Sequence, residues 1–205
     1  MEYGESIKRY LMIESVDRKG RAMDAMEKFF IERTRKHIGR VQDFVESACE
    51  FYPALADDLR ERGRVHDSSK FMIPERKYYI ILTWMYKSRK EGKEFKISDS
   101  DRKHMNDITF HHCKNNPHHP EAWDKNLTKN PINPNVREKR DIIANATAMD
   151  DLSILEMVCD WSAMSVENGE KSGPRKWADD SIAGRWKFSK HQQGLIYESI
   201  DLLWS

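Results

Sequence analysis

The pair His66-Asp67, within Val65-His66-Asp67-Ser68-Ser69-Lys70-Phe71, offers an imidazole nitrogen and a carboxylate oxygen from adjacent residues. Both are ordinary ligands of a divalent metal. On a helix, neighbouring residues point about 100° apart. One ion can therefore take both only where the backbone turns them toward a shared cavity. Other residues of ligand type stand along the chain. His37 lies upstream on an apolar stripe, and His111, His112, His118 and His119 put four of the eight histidines within nine residues. Asp160 sits inside the apolar run from Leu152 to Met164. Imidazole suits Zn, Fe, Mn, Co and Ni. A buried aspartate needs a partner, either a metal or a buried cation, because an unpaired buried charge is costly.

These residues need elements to hold them. Phe30, His37, Val41, Phe44 and Ala48 follow spacings of seven, four, three and four, one face of a helix predicted over 21–51. A shorter helix is expected over 54–62 with Gly63 as its stop, and the His66-Asp67 pair falls at the next helix start or the turn before it. A helix is predicted from Pro74 to about Lys90. Ser98-Asp99-Ser100-Asp101 is an N-cap cluster opening another, which reaches His111 or His112. Residues 114–137 are crowded with proline and asparagine, and long loops of this kind in compact domains are often functional. Helical pattern resumes near Arg137 and runs to Ser165 with room for one break, with Asp150 and Asp151 as helix-start acids and Glu156 and Asp160 on one face. Glu167-Asn168-Gly169 reads as loop, and one or two further helices close the chain. A short first helix is expected over 5–16. No strand is expected, so the fold class is all-α.

The 205 residues suffice for one domain with a real core. A charged fraction of 34% beside ten Met, eight Phe, seven Tyr and six Trp describes a helix-rich soluble protein, not a disordered one. The net charge of +1 carries no strong nucleic-acid signal, and the basic run Lys87, Arg89, Lys90, Lys93 and Lys96 reads as a solvated helix end. No apolar run is long enough for a membrane span, and no signal peptide opens the chain, so the expected location is cytoplasmic. Three widely spaced cysteines, Cys49, Cys113 and Cys159, suit a reducing compartment. Cys113 is either a ligand or a small hydrophobe. Leu202, Leu203 and Trp204 are expected to pack on the core or on a second copy in a homodimer.

Taken together, the order His37, His66-Asp67, Asp160, with histidines between, resembles the HD-domain superfamily of metal-dependent phosphohydrolases. His66-Asp67-Ser68-Ser69-Lys70 followed by Ile73-Pro74 is similar to its HD-x-x-K form, which occurs in cyclic-dinucleotide phosphodiesterases and a di-iron oxygenase branch. Ser69 stands where that form has Gly. The chain also resembles a family of small proteins of unassigned activity frequent in phages and large DNA viruses. That likeness rests on His66 to Phe71, on Asn116-Pro117-His118-His119-Pro120-Glu121 with Trp123, and on Glu156 to Trp161. It implies one HD-like helical bundle over 1–205, a motif-bearing core at about 35–165 and a C-terminal helical extension at 170–205.

The resemblance implies one or two divalent transition metals (Mn, Fe, Co, Ni or Zn). His37, His66, Asp67 and Asp160 would hold the first. His112, or His111 in its place, with His118 and His119 would hold a second, and Asp67 would bridge. Lys70 is expected to contact phosphate, Glu75 to act as general base or orient water, and Asn116 to bind substrate or shape the turn before Pro117. The expected activity is hydrolysis of a nucleotide or related phosphoester by a metal-activated water. A di-iron oxygenase and a non-enzymatic bundle stapled by metal are the alternatives.

Overall fold

A computed structural model describes residues 25–131, 142–182 and 184–205. The expected helix over 5–16, and residues 21–24 of the next, lie outside the described residues.

Helix α1, Ala25–Phe51, buries Phe30, His37, Val41 and Ala48 on one face, as the spacing predicts. Its 27 residues extend about 40 Å, long enough to pack along α2, Ala56–Val65, and α3, Arg76–Lys90. Gly63 is inside α2 and does not end it. A Cβ there would stand 3.1 Å from Cγ2 of Val45 on α1, so the glycine serves close helix–helix approach. Helix α4, Asp99–Asn115, opens on the Ser98 hydroxyl, which accepts from the Asp101 amide. It runs three residues past His112 before Asn116 turns extended.

Helix α5, Asp151–Asn168, is the axis of the fold. It is buried almost all round, and a helix apolar on every side belongs at the centre of a core. Of the helical stretch expected from Arg137, residues 142–150 are not helical and 137–141 lie outside the described residues; the helix starts at Asp151, where the Asp150 carboxylate caps the Ser153 amide. Before it, β1 (Ala144–Asn145) pairs in parallel with β2 (Trp186–Lys187). This two-residue ladder is too short to leave an alternating pattern in sequence. The helix also runs past Ser165, so Glu167 is helical, and Gly169 closes it at φ 73°. Helices α6, Arg175–Ser181, and α7, Lys190–Leu203, complete the described chain.

The architecture is all-α but for that ladder. Phe44 and Trp204 stack at 5.7 Å, and the Trp204 indole donates to Ser162, so the terminal residues pack on their own core. No helix among the described residues is long and apolar enough to cross a membrane.

Candidate metal centre

The chain leaves α2 with His66 extended, then takes a left-handed step at Asp67, φ 57° and ψ 9°. Asp67 is the one non-glycine residue with positive φ among those described. A 3-10 turn, Ser68–Phe71, follows. This kink resolves the difficulty of adjacent ligands: both side chains turn into the core, with His66 Nε2 3.7 Å from Asp67 Oδ2. Asp67 caps nothing with its side chain.

Asp67 is the hub. Its Oδ2 faces His37 Nε2 at 3.7 Å and His66 Nε2 at 3.7 Å, while Oδ1 faces His112 Nε2 at 3.1 Å and His118 Nε2 at 3.9 Å. Asp160, from α5, approaches His37 Nε2 at 3.0 Å and His66 Nε2 at 3.9 Å. His119 completes a group with His112 and His118. The rings of His118 and His119 lie 4.3 Å apart, and those of His66 and His118 also 4.3 Å. His111 points outward from α4, whereas His112 is buried and faces Asp67. The structure therefore brings together His37, His66, Asp67, His112, His118, His119 and Asp160. Cys113 lies apart from Asp67, in a group with His119 and Glu121.

A second layer of carboxylates aims the imidazoles. Glu156 Oε1 accepts from Nδ1 of both His66, at 2.9 Å, and His118, at 3.1 Å. Against burial, those two imidazoles hold the Glu156 carboxyl down at about 2. An ionised carboxylate only accepts, so each Nδ1 carries the hydrogen and each Nε2 keeps its lone pair. Glu167 likewise accepts from His37 Nδ1 at 2.9 Å, and Glu75 from His112 Nδ1 at 2.9 Å. Arg62 backs Glu156 at 3.4 Å, and Arg33 and Arg40 back Glu167, each at 3.2 Å. Ligand histidines held this way are a regular feature of metal sites.

Three buried Nε2 atoms, on His66, His118 and His119, have no hydrogen-bond partner, and His112 Nε2 meets only Asp67 Oδ1 at 3.1 Å. Buried polar atoms are nearly always satisfied, and these converge. The residues fit a metal, and the buried His/Asp groups can hold one. Burial, with His118 and His112 beside it, keeps His119 neutral well below the usual imidazole range, and burial with His66 lowers His118. Neutral imidazole is the form that binds metal. Burial alone would lower His37, but its hydrogen bonds to Asp160 and Glu167 raise it to about 9. Asp67 is held well below the carboxylate range, against burial, by Lys70, His66 and His112.

Three further residues sit against these ligands. Glu75 is buried with Oε1 bonded to His111 and Oε2 to His112 and Ser69, so it orients the His112 ring. The Asn116 amide donates to Ser69 and to the His112 carbonyl, holding the end of α4. Lys70 pairs with Asp67 Oδ2 at 2.5 Å and lies over the Tyr79 ring. Glu167 was missed, though Glu156, Asp160 and Glu167 follow one α5 face at spacings of four and seven. The loop carrying His118 and His119 is fastened by the Trp123 indole on the Pro117 carbonyl and by Lys114 on the Glu121 and Asp124 carbonyls.

The fold and site define an all-α protein with a buried His/carboxylate cluster suited to metal. The chain belongs to the family described as "Family of unknown function (DUF5662)", whose model matches residues 26–202. No curated protein and no solved structure matches it.

Proposed function

We propose that the protein is a metal-dependent phosphohydrolase of HD-domain type acting on a nucleotide or related phosphoester. The observation that carries this reading is the opening of the cluster. A cavity of about 510 Å³ reaches it at His119 and Asp160, whereas a metal that only staples a fold sits in closed coordination. The two oxygens of Asp67 face separate histidine groups, which supports two cations sharing one carboxylate. His37, His66, Asp67 and Asp160 would hold one. Asp67, His112, His118 and His119 would hold the other.

Divalent cations in such a site lower the pKa of bound water and offset charge on a phosphoryl group. The chain supplies the rest. Glu156, Glu167 and Glu75 fix the ligand tautomers. The Lys70 ammonium beside Asp67 is a compact charge suited to a phosphate oxygen. In the net reaction the water oxygen bonds to phosphorus, the ester P–O bond breaks, and the leaving oxygen takes a proton.

The test is the metal content of protein purified without chelator or metal-binding tag, beside the Asp67→Ala variant, followed by a phosphoester screen. About two equivalents of colourless metal, lost in the variant, with phosphate release from at least one ester, is the expected result. Iron with visible absorbance and no phosphate release would replace this reading with the oxygenase. Absence of metal after reconstitution would end both.

A further inference from the structure

The cavity that opens on the cluster is also lined by residues that no ligand role uses. Three indoles line it. Trp161 and Trp186 stack at 5.6 Å with 16° between their planes, and both are nearly buried, so they form a rigid wall. Trp177, on α6, is 39% exposed, and the Arg185 guanidinium lies 4.3 Å over its ring. The Trp186 indole donates to Glu121 at 3.0 Å, which fixes the wall beside the His118-His119 loop. His119 and Asp160 line the same cavity.

A volume of about 510 Å³ falls in the range of pockets for small organic ligands. Its lining selects among them. Indole faces and a guanidinium plane stack on flat π systems. We infer that this cavity seats the base of a nucleoside phosphate, with the phosphate toward His119 and Asp160, and that Trp177 and Arg185 set selectivity for a flat ring. The inference rests on the phosphohydrolase reading for the direction of the phosphate.

The test is equilibrium dialysis of the full, metal-containing protein against adenosine, guanosine, cytidine, uridine and ribose 5-phosphate. Hydrolysis of the corresponding 5′-monophosphates and of ribose 5-phosphate is measured in parallel. At least one nucleoside is expected to bind more tightly than ribose 5-phosphate. Trp177→Ala is expected to weaken that binding about tenfold, in keeping with loss of one base–aromatic stack. Trp177→Phe should restore most of it, and metal content should be the same in all three proteins. No nucleoside binding, or binding indifferent to Trp177→Ala, would overturn the inference. If ribose 5-phosphate and the nucleotides were also hydrolysed with equal kcat/KM, the hydrolase reading would survive alone. Nucleoside binding that is sensitive to Trp177, with no phosphate released from any ester, would leave the base site standing and remove the hydrolase reading.

Discussion

Glu156 is the residue through which the two halves of the cluster are joined. One of its oxygens takes the Nδ1 hydrogens of His66 and His118, and the other faces Arg62. In Glu156→Gln an amide group must face either an imidazole N–H or the Arg62 guanidinium, and both are donors. One imidazole then loses its aim. The expected outcome is metal affinity reduced about 10- to 100-fold, the usual effect of removing such a partner. Competition with a chromogenic chelator measures it, with circular dichroism as the check on folding. Unchanged affinity would show that the carboxylate does not orient these ligands. The spacing of Glu156, Asp160 and Glu167 was visible in sequence. Which of the three faces metal and which face imidazoles was not, because that depends on where the partner helices place their histidines.

At the scale of elements, the site depends on α1 and α2 lying close and on α5 starting where it does. Gly63→Leu puts a side chain against Val45, where even a Cβ is tight at 3.1 Å. Overpacking of this kind costs about 1–3 kcal/mol, and the urea midpoint should fall with an unchanged slope. An unaffected midpoint would mean that the helices can move apart freely. Asp150→Ala removes the cap of α5. A loss of about 1 kcal/mol is expected, read as a lowered Tm. The amphipathic face of α1 and the Ser98 cap were plain from local pattern. Gly63 and the start of α5 were read differently, because glycine in a tight helix contact and glycine at a helix end look alike in one dimension. The ladder between β1 and β2 is tied to the core through Ala144 and Trp186, and β1 packs beside the 3-10 turn Pro120–Trp123.

For the molecule as a whole, the cluster makes the stability of the metal-free protein depend on pH in both directions. His37 is raised from 6.5 to about 9, so its contribution is complete below about 6.5 and is lost as pH rises through 9. His112 is raised too, by Asp67 and Glu75 against burial and Lys70, and acts in the same sense. His118 and His119 are lowered, mainly by burial, so their contribution is present above 6.5 and is lost as pH falls. Glu156, lowered from 4.5 to about 2, adds a loss on the acid side below 4.5. Tm of chelator-treated protein should therefore peak near pH 6.5. His37→Gln should flatten the alkaline limb and leave the acid limb. An alkaline limb of the same steepness in that variant would remove His37 as its source.

Local pattern and residue type were enough to read the chain as helical and to single out His37, His66, Asp67, Asp160 and the 111–119 histidines as candidate metal ligands. Helical periodicity is local, and ligand chemistry belongs to the residue type. The tertiary structure decided which histidine of the pair at 111 and 112 turns inward. It also decided that Glu75 aims an imidazole, and that three tryptophans from three separate elements line one cavity beside the cluster. Those facts depend on the left-handed step at Asp67 and on distances between side chains of five helices and two loops. Such distances exist only once the core has closed.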